Sequence, residues 1–360
     1  MTDGLTYDER EWRGSRVHML TVDLTKRSMA PVMVGQDFPL TSDYRLDNRP
    51  AALAKAAGAR ATVGGGYEMT VYHRTGVTGQ PLHALVVDRE IWTTGSGAGG
   101  HGFLTGDGFA TVRSPNRIHV QVWAPAPGGT DPILVEHVNR GHDGKVVAFT
   151  PRGGTNEWPE VDKHYAWLGN PGEWIEEGEA MHRTMTVIAT GDTSPTYSLG
   201  WSSVLESRWG LGLHVGDQVT WTQHLGAPGV RHIVSGATGL LISGENIVNP
   251  LEMRPEASHG PDAWYVRRNP RTALGASADG KTAYLVAVEG RVPGSKGLRL
   301  HELATMLKEY GVSEAENMDG GGSTMMWVRG LGKNGLVADS CYGDGTYAGT
   351  RPDHFATAVF

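Results

Sequence analysis

The run Asn317-Met318-Asp319-Gly320-Gly321-Gly322-Ser323-Thr324 sets a carboxylate beside three glycines and two hydroxyls. Consecutive glycines cost backbone entropy and pack no side chains, so a chain keeps them where backbone must approach something closely or where φ must be positive. An acid delivered to such a turn is a candidate for chemistry on a substrate. A carboxylate there can serve as nucleophile, acid or base at a sugar's anomeric carbon. Other charged groups fall near glycine-rich turns, namely Glu68, Arg271, Glu289, Arg291 and Arg351. Acids beside several arginines suit an anionic ligand, because the guanidinium fork binds phosphate in bidentate fashion.

The elements that would position these groups are clearest in the last hundred residues. Thr282 to Glu289 reads as a strand, and Leu300, Leu303, Leu307 and Tyr310 follow helical spacing up to Gly311, a good residue just past a helix end. Glu314 to Met318 then returns as a strand. This strand–helix–strand unit delivers Asp319 to a strand's carboxyl end, where open α/β sheets place ligands. The N-terminal part echoes it: a strand over Val17 to Leu24, an apolar run near Ala30 to Val34, a helix over Ala51 to Ala57 ending at Gly58, then a strand from Ala59 to Val63 running into Gly64-Gly65-Gly66-Tyr67. The echo predicts that both glycine triplets lie on one side of one sheet and face the same cleft.

From about Leu82 to Val248 short apolar runs recur between turn signals, among them Ala84–Val87, Ile118–Trp123, Ile133–Val138, Val146–Phe149, Thr184–Ala189 and Gln218–Gln223. That pattern suits antiparallel sheets. Trp158 to Trp174 reads as a Pro/Trp/Glu-rich loop. The expected fold is α+β, a mixed central sheet with a few short helices. It forms a single domain over 1–360, with a β-rich inserted or variable region at roughly 105–225.

Several chemistries are excluded. Gly95 to Gly102 lacks the Lys-Ser/Thr of a phosphate-binding loop, no Gly-x-Ser-x-Gly elbow occurs, and His301-Glu302 is followed by Thr305 rather than a second His. There is no EF-hand and no Cys/His zinc cluster. The single cysteine, Cys341, rules out an intramolecular disulfide framework and reads as an inert buried thiol. A net charge of −7 without a Lys/Arg-rich run argues against nucleic acid as partner. No apolar run is long enough to span a membrane and no signal-peptide core is visible, so a soluble protein, cytoplasmic or phage-associated, is expected. The 11 tryptophans fit core packing, and equally the stacking of indoles on sugars.

The segment Asn317 to Thr324 resembles the Asn-Leu-Asp-Gly-Gly-Gly-Ser signature of the phosphodiester glycosidases, the relatives of the lysosomal N-acetylglucosamine-1-phosphodiester α-N-acetylglucosaminidase. Further motifs follow in that family's order. Asn269-Pro270-Arg271-Thr272-Ala273-Leu274-Gly275 is similar to its Pro-Arg-Thr-Ala-Ile-Gly, and Val288-Glu289-Gly290-Arg291 to its Val-Asp-Gly-Arg. Arg351 stands where the family has an arginine near the last strand, and Gly64-Gly65-Gly66-Tyr67 resembles its Asn-Gly-Gly-Tyr/Phe turn. The likeness runs over 267–360 and more loosely over 15–70. The chain departs at Gly64, where Asn is usual, at Glu68, where an aromatic is usual, and at Glu289, where Asp is usual.

The resemblance implies hydrolysis of a sugar-1-phosphodiester to free sugar and phosphomonoester, on a small or polymeric sugar-phosphate. It implies Asp319, Arg271 and Glu289 as catalytic residues. Substrate would be held by Arg291, Arg351, Gly65, Gly66, Tyr67, Asn317, Gly320, Gly321, Gly322, Ser323 and Thr324, with amides of Gly320 to Ser323 forming an anion nest. No cofactor is required; Ca²⁺ or Mg²⁺ on Asp319 and glycine-loop carbonyls is an open option. A turn-holding role for Asp319 and a structural ion pair for Arg271 compete with these assignments. A non-catalytic glycan-binding protein and a phosphodiesterase cutting P–O are the rival functions.

Overall fold

The computed structural model describes residues 3–33, 50–64, 83–95, 102–113, 118–123, 131–139, 146–150, 163–192, 202–236, 240–244, 246–248, 267–339 and 355–360. Among them 58% lie in strands and 8% in helix, so the α+β expectation gives way to a mainly β protein. Two α-helices occur among the described residues, α1 (Pro50–Ala56) and α2 (Leu300–Glu309). Each is followed by a glycine at positive φ, Gly58 and Gly311, both at 81°.

Four sheets stack in layers. Sheet 1 has seven strands in the order Leu5–Trp12, Ser15–Asp23, Thr282–Val288, Arg271–Ala276, Glu314–Asn317, Leu240–Ser243 and Asn246–Ile247. All its neighbouring pairs are antiparallel, not mixed as the sequence suggested. The strand–helix–strand unit is real, but Arg271–Ala276 lies between its two strands. Thr282–Val288 and Glu314–Asn317 therefore run parallel without being neighbours. Their carboxyl ends and the amino end of Arg271–Ala276 share one edge, with Arg271 opposite Val288 and Ala273 opposite Asn317. Helix α2 covers one face of sheet 1 through Leu300, Leu303, Ala304 and Leu307, packed on Val17, Ala273, Val286 and Ala315.

The other face of sheet 1 meets two five-stranded sheets. Sheet 2 contains Ala61–Gly64 between Met325–Val328 and Phe355–Val359, flanked by Leu336–Asp339 and Met29–Met33. Sheet 3 contains Glu90–Gly95, His83–Val87, Val230–Ser235, Gly102–Gly106 and Phe109–Arg113. Its strands alternate, so Leu85, Phe103 and Val234 enter the core shared with sheets 1 and 2. Ala84, Val86, Leu104 and Ile233 enter a second core shared with sheet 4. Sheet 4, nine strands within 118–225, includes Ile118–Trp123, His164–Gly169, Ala180–Gly191, Ser203–Ser207 and Gln218–Leu225.

Three readings of the sequence need correction. His164–Gly169 is a strand, inside the stretch read as a loop; Tyr165 and Trp167 fall on one buried face and Ala166 and Leu168 on the other. Leu5–Trp12 is an edge strand whose acids and Arg10 hid it from any apolar signal. The glycines do not serve one sheet where they are described: Gly64 ends a sheet 2 strand, whereas Gly320–Gly322 links sheet 1 to sheet 2. Gly64 nevertheless meets the second turn, since a Cβ on it would stand 2.8 Å from the Ser323 carbonyl oxygen.

The strand that carries Asn317 is pinned to sheet 3 by its two acids. Glu314 Oε2 accepts hydrogen bonds from Thr111 Oγ1 at 2.7 Å and Val112 N at 2.8 Å. Glu316, fully buried, accepts one from Gly236 N at 2.6 Å. A buried amide deprived of its acceptor costs about 1–3 kcal/mol. Glu316→Ala is therefore expected to lower the unfolding free energy by about that much, read from urea denaturation. An unchanged midpoint would show that this carboxylate does not hold the layers together.

Candidate active site

The site is built around the Asn269–Pro270 peptide. A Cβ on Gly290 would lie 2.7 Å from Pro270 N, one on Gly320 2.9 Å from Pro270 O, and one on Gly297 2.3 Å from the Asn269 carbonyl carbon. Real Cβ atoms do not approach so closely, so all three positions require glycine. Gly297 also has φ 78°, a conformation strained for any other residue. Gly321 N donates to Pro270 O at 2.9 Å, and Asn269 and Leu298 exchange backbone hydrogen bonds in both directions.

Arg271 follows directly and is buried. Its Nε donates to Leu298 O at 2.9 Å and its Nη2 to Arg267 O at 3.0 Å. The guanidinium thus ties the segment before α2 to the start of its own strand. Asn317 is buried at the end of its strand, with Nδ2 donating to Met318 O at 3.0 Å. Asp319 is the next polar residue and is half-buried. The glycine turn follows as a single 3₁₀ turn, Gly321–Ser323, with Gly321 at φ 62°. Ser323 N donates to Gly320 O and Thr324 N to Gly321 O, while the Thr272 and Thr324 hydroxyls lie 3.4 Å apart. Three amides of the turn, those of Gly321, Ser323 and Thr324, are thereby engaged within the protein, which narrows the anion nest that the sequence suggested.

Glu289 lies at the same sheet edge but is held by a different set of groups. Its buried carboxylate pairs with Arg16 and stands 3.5 Å from His18 Nε2. His18 Nδ1 in turn lies 2.8 Å from the Tyr7 hydroxyl. Burial above all, then Glu9 and Glu289, pushes the Tyr7 phenol up, so it stays neutral at ordinary pH. Arg291, at positive φ, reaches back to Asn269 with Nη2 2.9 Å from Oδ1.

The structure therefore gathers Arg271, Asn317, Asp319, Gly320, Gly321, Gly322, Ser323 and Thr324, with Arg291 and Glu289 along the same edge. Gly65, Gly66, Tyr67, Arg351 and Cys341 lie outside the described residues. Sequence reasoning missed Tyr7, Arg16, His18 and Glu316. The alternation Glu314-Ala315-Glu316-Asn317 held a usable signal, since it sets two acids on one face of a strand. Among the described residues, no three His, Cys, Asp or Glu side chains converge as metal ligands. No helix among them is long and apolar enough to cross a membrane.

Solved structures share the layered fold. A hypothetical protein from Synechocystis superposes with a TM-score of 0.66 and 19% identity over 100% of this chain and 62% of its own length. A protein described as exported, from Burkholderia pseudomallei, gives a TM-score of 0.63 and 19% identity over 96% of this chain and 74% of that one. The catalytic domain of zebrafish N-acetylglucosamine-1-phosphodiester alpha-N-acetylglucosaminidase superposes only loosely, with a TM-score of 0.46 and 14% identity over 99% of this chain and 81% of that domain. No curated protein matches the chain. The family comparison supplies the class: residues 183–360, which hold every site residue described above except Gly64 and the partners of Glu289, match the phosphodiester glycosidase family.

Lysine cannot present the planar fork that joins Leu298 O to Arg267 O. Arg271→Lys is expected to cost about 1–3 kcal/mol of stability, as for a buried acceptor left without its donor. Calorimetric unfolding checks this, and an unaltered transition would remove Arg271 from the scaffold.

Proposed function

We propose that the chain hydrolyses the bond between a sugar's anomeric carbon and a phosphodiester, as in an N-acetylglucosamine-1-phospho compound or a related glycan-linked substrate. The observation that carries this reading is the position of Asp319. A half-buried carboxylate stands at a strand's carboxyl end, on a glycine turn braced by Pro270, with the buried Arg271 guanidinium in the adjoining residue. The match of residues 183–360 to the phosphodiester glycosidase family supports the same class of chemistry.

In this reading water attacks the anomeric carbon, the C–O bond breaks, and the phosphomonoester departs with the bonding pair. A phosphate is a far better leaving group than an alkoxide, so little general-acid help is needed. Asp319 takes the proton from water or stabilises the oxocarbenium-like transition state. The field of Arg271, together with Arg351 and Arg291, offsets charge that builds on the departing phosphate. Asn317, Ser323, Thr324 and the Gly65-Gly66-Tyr67 turn are assigned to sugar and phosphate contacts. Glu289 is assigned a positioning part through Arg16 and His18.

The test is release of free N-acetylglucosamine from α-GlcNAc-1-phospho-methyl, with and without EDTA. Asp319→Asn is expected to lower turnover at least ~100-fold if the carboxylate does acid–base work. Near-wild-type turnover by that variant would remove Asp319 from the mechanism. Release of GlcNAc-1-phosphate instead of free sugar would place the cut at P–O. Loss of activity with EDTA, restored by Ca²⁺ or Mg²⁺, would add a metal to the site.

A further inference from the structure

On the far side of the molecule, two open cavities in sheet 4 meet at Gly210 and Leu211. The first encloses about 390 Å³ and is lined by Leu134, Glu136, Ser207 and Trp209 among others. The second encloses about 310 Å³ and includes His164, Thr190 and Asp192. Both fall in the size range of small-molecule sites, ~300–1,000 Å³. Together they form one groove along either side of the loop from Trp209 to Leu213.

The groove has a built floor. Ser207 Oγ accepts the backbone N–H of Trp209 at 3.1 Å, and Leu213 is buried in the core shared by sheets 3 and 4. The loop is thereby fastened at both ends while the Trp209 indole stays 58% exposed and Leu134 49% exposed. An exposed indole on an anchored loop is a flat apolar surface already in place. On the other side of the loop His164 Nδ1 lies 2.6 Å from Asp192 Oδ1.

We infer that this groove is a second binding site, separate from the Asp319 site, for an uncharged saccharide chain. Three features select that ligand. An indole face beside aliphatic side chains packs against the C–H face of a pyranose. Glu136, Asp192, Ser207 and Thr190 offer acceptors to hydroxyl groups along both lobes. Among the described residues the lining holds two acids and neither Lys nor Arg, which disfavours a phosphorylated or otherwise anionic ligand. Sheet 3 stands between sheet 4 and the layers that carry Asp319, so one glycan residue cannot occupy both places.

Isothermal titration of the whole chain with chitotetraose, cellotetraose, maltotetraose and xylotetraose tests the inference. At least one should bind the wild type. Trp209→Ala should weaken that binding at least ~10-fold, the loss expected for one stacked aromatic, and Trp209→Tyr should retain most of it. Asp319→Asn should bind as the wild type does. Trp209→Ala should still release sugar from α-GlcNAc-1-phospho-methyl at the wild-type rate, which keeps the two sites distinguishable. Absence of binding by all four oligosaccharides overturns the proposal. So does binding that is unaffected by Trp209→Ala or abolished by Asp319→Asn.

Discussion

The structure depends on how closely the backbone can close around the Asn269–Pro270 peptide. Gly290 and Gly297 come from the loop before α2 and Gly320 from the turn after Asp319, and a single methyl on any of them would overlap Asn269 or Pro270 backbone. The Pro270 carbonyl then receives Gly321 N, Asn269 is bridged to Leu298 in both directions, and Arg291 returns to the Asn269 side chain. Arg271 locks the same region from below through Leu298 O and Arg267 O. These contacts are polar, short and mutually dependent. Loosening one segment leaves buried donors or acceptors in the others, at a cost of ~1–3 kcal/mol each. This closure sets the backbone from which Asp319 projects.

A second constraint fixes the strand from above. Glu314 and Glu316 point to the face opposite α2 and take main-chain amides of Val112 and Gly236. Gly236 in turn lies against Asn317, where a Cβ would meet the carbonyl oxygen at 2.0 Å. Burying a carboxylate such as Glu316 is unfavourable unless it is hydrogen-bonded, so the acid enforces the contact that satisfies it. The β-rich middle of the chain is thus attached to the strand that leads to Asp319. Displacement of sheet 3 would therefore be felt at Asn317.

Much of the site was legible because its signals are local. A triplet of glycines after an acid, a helix of regular apolar spacing and glycines just past the two helices all follow from short-range backbone and side-chain rules. The short apolar runs of the middle region are strands for the same reason. What was not legible depends on long-range pairing. Nothing in the sequence says that Gly64 ends a sheet 2 strand while Gly320 to Gly322 crosses between sheets. The antiparallel insertion of Arg271–Ala276 between the crossover strands is likewise invisible in spacing. Leu5–Trp12 escaped because an edge strand needs few apolar residues, and Tyr7 and His18 join Glu289 only once its neighbour Ser15–Asp23 has paired with Thr282–Val288.

Gly64 shows how the two glycine turns depend on each other. At Gly64 the chain presses bare backbone against Ser323 O, at a separation a Cβ could enter only if one strand moved. The absence of a side chain at Gly64 thus lets sheet 2 close on the turn that follows Asp319. Ser323 and Thr324 are buried, and their backbone amides are engaged within the turn, so packed backbone rather than a side-chain amide faces Ser323 from sheet 2.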